Sequence, residues 1–236
     1  MLLALETAND WCSVALFDGQ TVVARREDSR SREQTRLILP MIDAVLAEQG
    51  LDVASLQAIA FSRGPGSFSG VRINAAVAQA LAWAHDLPVV PVSTLQAVAQ
   101  AAYRQYQLTQ VVAVLDARMN EVYAAAYQLD QQGLMQPLAD ASGIEQLAAY
   151  DRVRLPVDAE HYTLVGNGSA LITQTSAQAS CQQGHAKQIH ASSEDIARLG
   201  HAVFQAGQAV SADQALPVYL RDNAWKKIAE QGASKR

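Results

Sequence analysis

Hydrophobic and polar positions in the first 28 residues predict strands. LLALETA, WCSVALFD and TVVARRE are rich in β-branched and apolar residues and are broken by Asn9-Asp10 and Asp18-Gly19, so a three-stranded meander with ordinary hairpin turns is expected. From Gln34 the period changes. Leu37, Ile38, Met41, Ile42, Val45 and Leu46 recur at helical spacing, and Gly50 stands where a helix usually stops. Pro40, inside that run, predicts a kink or a late start. A strand AIAFS, the loop RGPGSFSG, a helix to about His85, the strand VVPVS and a helix from Thr94 to about Tyr106 follow. A meander followed by alternating helix and strand predicts an α/β fold, its mixed sheet covered by helices on both faces.

The pattern then restarts. VVAVLDA and EVYAAAYQLD read as another hairpin, followed by helical and irregular sequence and the strand YTLVGNG, which makes a weak structural repeat without sequence repetition. Ser176 to His190, with its glutamines and little periodicity, is the best candidate for a mobile loop. Ser192 with Asp195 resembles a helix start, and Ile196, Leu199, Val203 and Phe204 supply an apolar stripe. The chain ends in PVYLRDNAWKK, a short strand or turn followed by a basic tail.

A chain of 236 residues with 50% apolar and 17% charged positions can bury two modest cores. No run approaches the roughly 18 consecutive apolar residues of a membrane span, and Met1 to Thr7 lacks a signal-peptide pattern, so a soluble, cytoplasmic protein is expected. Cys12 and Cys181 lie too far apart for a disulfide framework or structural metal spacing. The net charge of -5 argues against a chain that grips nucleic acid alone.

The most informative stretch is Gly64, Pro65, Gly66, Ser67, Phe68, Ser69 and Gly70, because a strand, a glycine-rich turn and a helix start can together present backbone N–H groups to an anion. It lacks the Gly-Lys-Ser/Thr of a P-loop, and it fits a dinucleotide fingerprint poorly because Ser69 replaces the third glycine-type position. The plainer reading is a tight turn that lets a helix pack close to the sheet. Ser67 and Ser69 have no nucleophile-elbow context. His85, His161, His185, His190 and His201 show no metal-ligand spacing.

The helix after this loop is alanine-rich, with Arg72, Asn74 and Gln79 its only polar residues from Val71 to Ala84, so burial nearly all round is expected. Ala75, Ala78 and Ala82 form one flat face suited to close helix packing. Either that face is internal, or it is a subunit interface together with Leu37, Ile38, Met41, Ile42 and Val45; the breadth of apolar surface favours the interface.

LLALETA, REQTRLILPMI, RGPGSFSGVR, VVPVSTL, VLDARMNEVY and PVYLRDNAWKK together resemble the TsaB family over most of the chain, most strongly from Leu2 to Gln128. The resemblance implies an actin-like, RNase H-like ATPase fold of two subdomains, residues 1–100 and 101–236, the end of the second packing back on the first. It implies a non-catalytic partner of TsaD, acting with the ATPase TsaE, in a complex that transfers threonylcarbamoyl from its adenylate to the adenosine 3′ of the anticodon. On this reading the chain has no cofactor of its own, ATP or ADP and metal belong to the partners, tRNA is met through the complex, and a lone chain can form a homodimer. Arg72 joins the apolar positions above as an interface or loop-ordering residue. Two departures stand out. Glu6 replaces the usual Asp in a glycine-free turn, Glu6 to Asp10, which argues against nucleotide hydrolysis; Gln34 stands where the family is expected to show His. The competing reading is an active actin-like ATPase or kinase, or a glycoprotease-like hydrolase.

Overall fold

The computed structural model describes residues 1–30, 32–172, 182–183 and 189–221. Strands β1 (Leu2–Glu6), β2 (Cys12–Phe17) and β3 (Val22–Asp28) form the expected meander. Helix α1 (Gln34–Glu48) follows, then β4 (Ala58–Gly64), α2 (Phe68–Ala84), β5 (Val89–Ser93) and α3 (Thr94–Tyr106). The first sheet has the order β3-β2-β1-β4-β5. Its meander is antiparallel, whereas β1, β4 and β5 run parallel.

The second sheet repeats this plan. Strands β6 (Gln110–Arg118), β7 (Glu121–Leu129) and β8 (Met135–Pro137) form an antiparallel meander, with β9 (Gln146–Ala149) also pairing β7. Strands β10 (Thr163–Val165) and β11 (Gln182–Gln183) extend it in parallel beyond β6. The order β8-β7-β6-β10-β11 therefore mirrors β3-β2-β1-β4-β5. Short helix α4 (Ser169–Ile172) follows β10, and α5 (Ser193–Gln205) follows the second sheet in sequence.

Side chains along β1 alternate between two cores, as strand geometry requires. Leu3 and Leu5 join Ile38, Ile42, Val45, Ala75, Ala78 and Ala82 beneath α1 and α2. Leu2 and Ala4 join Leu95, Val98, Ile196 and Leu199 beneath α3 and α5. Thus α5 packs on the first sheet, and the core under α3 is continuous with the inner face of the second sheet through Val111, Ala113 and Ala125.

Three local expectations change, and one is not reached. Pro40 lies inside α1, which starts at Gln34 without delay, and it is exposed on the solvent side of the helix. The stretch after β7, expected to be helical and irregular, contributes β8 and β9, because pairing with β7 outweighs the weak strand propensity of QLAA. Helix α2 is not buried all round: Val71, Asn74, Ala75, Ala78 and Ala82 are buried, while Arg72, Ala76, Ala80, Trp83 and Ala84 are exposed. The mobile-loop expectation for 176–190 and the basic tail after Arg221 fall almost wholly outside the described residues. No described helix is long and apolar enough to cross a membrane.

Candidate functional site

The first strands of both sheets, β1 and β6, end at one cleft. A cavity of about 420 Å³ there is lined by the β1–β2 turn (Ala8, Asn9, Asp10), the loop Pro65 to Phe68, the end of β6 (Leu115 to Arg118), Asn167 and the segment Val218 to Arg221. Asn9, Asp10, Leu115 and Asn167 also face a second cavity, of about 490 Å³, whose other walls include Trp11, Thr94 and His190. The β1–β2 turn thus separates two hollows.

The glycine loop is built against that turn. Gly64 has φ +102, a region that only glycine enters without strain. A Cβ on Gly66 would lie 2.3 Å from the Ala8 carbonyl oxygen, and one on Gly70 would lie 1.9 Å from that of Thr7, so both glycines are required by close backbone approach. Ser67 N–H donates to the Ala8 carbonyl at 2.7 Å, the Thr7 hydroxyl donates to the Gly70 carbonyl at 2.7 Å, and the Ser67 hydroxyl caps α2 by accepting from Gly70 N–H. The amides of Ser67 and Gly70 are engaged within the chain, and the close approach of the loop to the β1–β2 turn is that of a tight turn.

The turn itself is held from several sides. Asn9 donates to the Ala191 carbonyl and accepts from Trp11 N–H. Gln34 donates to the Asn9 carbonyl at 3.2 Å, which gives this departure from the expected histidine a positioning role. Glu6 is fully buried and accepts the Ala8 N–H. Its pKa is raised to about 7, chiefly by burial, against the hydrogen bonds of Ser62, Ala8 and Asn9.

At the cleft mouth the Arg72 guanidinium carbon lies 3.2 Å from the Phe68 ring centroid and 4.9 Å from that of Tyr219, and Arg72 also donates to the Phe68 carbonyl. The Tyr219 segment is anchored on one side by Val218 N–H to the Arg63 carbonyl and on the other by Arg221, which reaches Glu121 at 2.7 Å and the Ala117 carbonyl at 3.1 Å. Tyr219 and Arg221 line the cleft, and Arg63, whose carbonyl holds Val218, pairs with Glu145; of these, Glu145 alone lies outside the motifs that the sequence marks. Among the described residues no three His, Cys, Asp or Glu side chains gather as a metal site.

The residues expected at a partner surface divide into two sets. Ala75, Ala78 and Ala82 are buried by this chain's own sheet, as are Ile38, Ile42 and Val45. Their assignment to an intermolecular surface is corrected: the flat alanine face lets α2 settle onto β1 and β4. Leu37 and Met41 are half-buried and Arg72 is exposed. Ile73, Val77 and Leu81 are half-buried at the margin of the core, and Leu39 and Trp83 are 50% and 68% exposed.

Comparison with known proteins assigns the family. The family model described as "TsaD: tRNA N6-adenosine threonylcarbamoyltransferase" matches residues 26–229. The chain is 37% identical over 228 residues to the tRNA threonylcarbamoyladenosine biosynthesis protein TsaB of Escherichia coli (strain K12), covering 96% of this chain and 97% of that protein. It is 52% identical over 123 residues to the TsaB of Haemophilus influenzae, covering 52% and 51% of the two chains. The solved structure of YeaZ from Pseudomonas aeruginosa superposes with a TM-score of 0.83 at 38% identity, covering 93% of this chain and 99% of that one. With near-complete coverage of a TsaB relative, a YeaZ-like structure and paired sheets of the actin-like, RNase H-like fold, the chain belongs to the TsaB family of tRNA threonylcarbamoyladenosine biosynthesis proteins.

Proposed function

We propose that the chain is the non-catalytic partner subunit of the complex that forms threonylcarbamoyladenosine in tRNA. In this reading it acts in the cytoplasm, docks on TsaD, works with the ATPase TsaE, and leaves nucleotide, metal and tRNA to the assembled complex. It thereby supports transfer of threonylcarbamoyl from its adenylate to the adenosine 3′ of the anticodon in tRNAs that read codons beginning with A.

The observation that carries this reading is the outward face of α1 and α2. Leu37, Met41, Ile73, Val77 and Leu81 remain only partly covered, and Ala76 and Ala80 are exposed on the same helix pair. Small side chains next to apolar ones let a partner's helices approach closely. Because the chain matches the model of the transferase itself, a transferase subunit would offer a comparable helix pair, and a lone chain could accept a second copy of itself. The cleft supports the same division of labour, since Glu6 is sealed in the core and the amide of Ser67 is engaged by Ala8.

The test is calorimetric binding of the purified chain to TsaD, alongside ATP turnover by the chain alone. Ala76→Glu and Ala80→Glu, both at exposed positions, should each weaken binding at least about tenfold, or about 1.4 kcal/mol, with unchanged melting temperature. Unaltered binding by both variants would overturn the docking assignment, and turnover by the chain alone at the rate of a dedicated ATPase would overturn the non-catalytic role.

A further inference from the structure

After α5 the chain returns along the first sheet. Val210 pairs with Val89 on β5, Gln79 of α2 donates to the Ala212 carbonyl at 3.1 Å, and Ala215 is 1% exposed. Beyond Ala215 the character changes: none of residues 216–221 is buried, and Leu216 and Tyr219 are 60% and 47% exposed. This stretch crosses from one sheet to the other over the cleft cavity, which Val218, Tyr219, Leu220 and Arg221 help to wall. At its first end Val218 N–H donates to the Arg63 carbonyl of β4 at 2.8 Å, and the Val218 carbonyl lies 3.1 Å from where a Cβ on Gly64 would stand. At the other end Arg221 reaches three points of the β6–β7 hairpin, the Ala117 carbonyl at 3.1 Å, the Met119 sulfur at 2.9 Å and the Glu121 carboxylate at 2.7 Å.

The hairpin tip that Arg221 holds is costly backbone. Arg118, Met119 and Asn120 have φ of +62, +58 and +62, a left-handed region that asparagine tolerates and that arginine and methionine enter only at a cost. The tip nevertheless has supports inside its own sheet, since Asp116 accepts from Arg118 N–H at 2.8 Å and Asn167 accepts from Asp116 N–H at 3.0 Å. The two sheets are likewise joined elsewhere, by Arg63 with Glu145 and by the apolar core under α3. Residues 216–221 have no comparable support. A segment with no buried side chain, held by a few surface contacts, opens at the low end of a protein's local free energies.

We propose that residues 216–221 form a lid over the cleft, hinged after Ala215 and clasped by Arg221, so that release of this one side chain frees the segment from both sheets and uncovers the cavity while the sheets stay joined. Each end holds the other in reach. With Arg221 fixed on the hairpin, Val218 meets the Arg63 carbonyl at high effective concentration, and without it the ordering entropy of the segment falls on that end alone. Arg221 and Glu121 are 20% and 34% exposed, so water screens them less than a pair standing free in solvent. The planar guanidinium presents its donors to a carbonyl, a carboxylate and a sulfur at once.

Amide hydrogen exchange, followed residue by residue by nuclear magnetic resonance on the isotopically labelled full chain, tests the lid. In Arg221→Ala the Val218 amide should exchange at least about tenfold faster, although the substitution leaves the Val218–Arg63 bond itself untouched, while β1 and β4 amides stay within about twofold of the wild type. Glu121→Gln removes the charge of the clasp from the opposite side with the lid's own sequence intact, and should accelerate Val218 at least about threefold. An unchanged Val218 amide in either variant would show that the two ends are held independently and would overturn the lid. So would an equal acceleration throughout β1 and β4, which would make Arg221 a support of the whole first sheet. Should Arg221→Ala fail to fold, Glu121→Gln decides by the same two criteria.

Discussion

Arg63 grips Glu145 with both ends of its guanidinium, Nη1 to Oε2 at 3.1 Å and Nη2 to Oε1 at 3.0 Å. Arg63 lies in β4 of the first sheet, Glu145 precedes β9 of the second, and Ser93 at the end of β5 donates to the same carboxylate. One acid therefore joins the two sheets beside the cleft. Its side chain is 14% exposed and that of Arg63 is 26% exposed, so removing the arginine leaves a largely desolvated charge. Arg63→Met should cost about 2–4 kcal/mol in urea unfolding, and Arg63→Met with Glu145→Leu should recover most of that loss. A double variant as unstable as the single one would mean that the pair does not join the sheets energetically.

Glycine at position 70 is demanded by contact rather than by backbone angle. A Cβ there would meet the Thr7 carbonyl at 1.9 Å, whereas one at Gly50, which has φ +62, would meet nothing within 4 Å. Gly50→Ala should therefore cost about 1 kcal/mol, the usual cost of a left-handed alanine, and Gly70→Ala about 3 kcal/mol or more, because strand and helix must part. Chemical denaturation of the two variants side by side checks the ranking.

The two alanine rows of α2 should respond oppositely to charge. Ala78 is completely buried among Leu3, Leu5 and Phe61, so Ala78→Glu should lower the melting temperature sharply or prevent folding. Ala80 is exposed, so Ala80→Glu should leave the melting temperature within about 2 °C, corresponding to a surface change below about 0.5 kcal/mol. Equal damage at both positions would show that α2 is rotated from the arrangement described.

Stability should depend on pH through Glu6. Its folded pKa, about 7, exceeds the ordinary 4.5, so the folded state holds a proton that the unfolded chain releases earlier. The resulting stabilisation is fully present below the unfolded pKa, declines as pH rises, and is lost once pH passes the folded pKa. At about 1.4 kcal/mol per pKa unit, the decline amounts to a few kcal/mol, and Glu6→Gln should remove that slope. Urea midpoints measured across this range check the sign, and a slope unchanged in the variant would assign the effect to another group.

Much of the order of elements was legible in the chain. The β1–β3 meander, the helical spacing from Gln34 to the stop at Gly50, and the Ser192–Asp195 start of α5 are local signals, set by side-chain period and by hydrogen bonds between near neighbours. RGPGSFSG also marked its strand–turn–helix context. Which face of α2 is covered was not legible, because alanine suits a sheet contact and a subunit contact equally well. Only the placement of β1 and β4 beneath Ala75, Ala78 and Ala82 decides it, leaving Ala76 and Ala80 toward the outside. The short strands β8 and β9 likewise exist through their pairing with β7. The cleft depends on contacts across long stretches of chain: Arg63 with Glu145, Arg72 with Tyr219, and Asn9 with Ala191. Sequence by itself determined most of the elements of the first sheet and the family resemblance, since those rest on local chemistry and motif. The tertiary structure alone decided which glycines are sterically obligatory, which alanines are core and that Glu6 is sealed from water, because each depends on what another part of the chain brings against it.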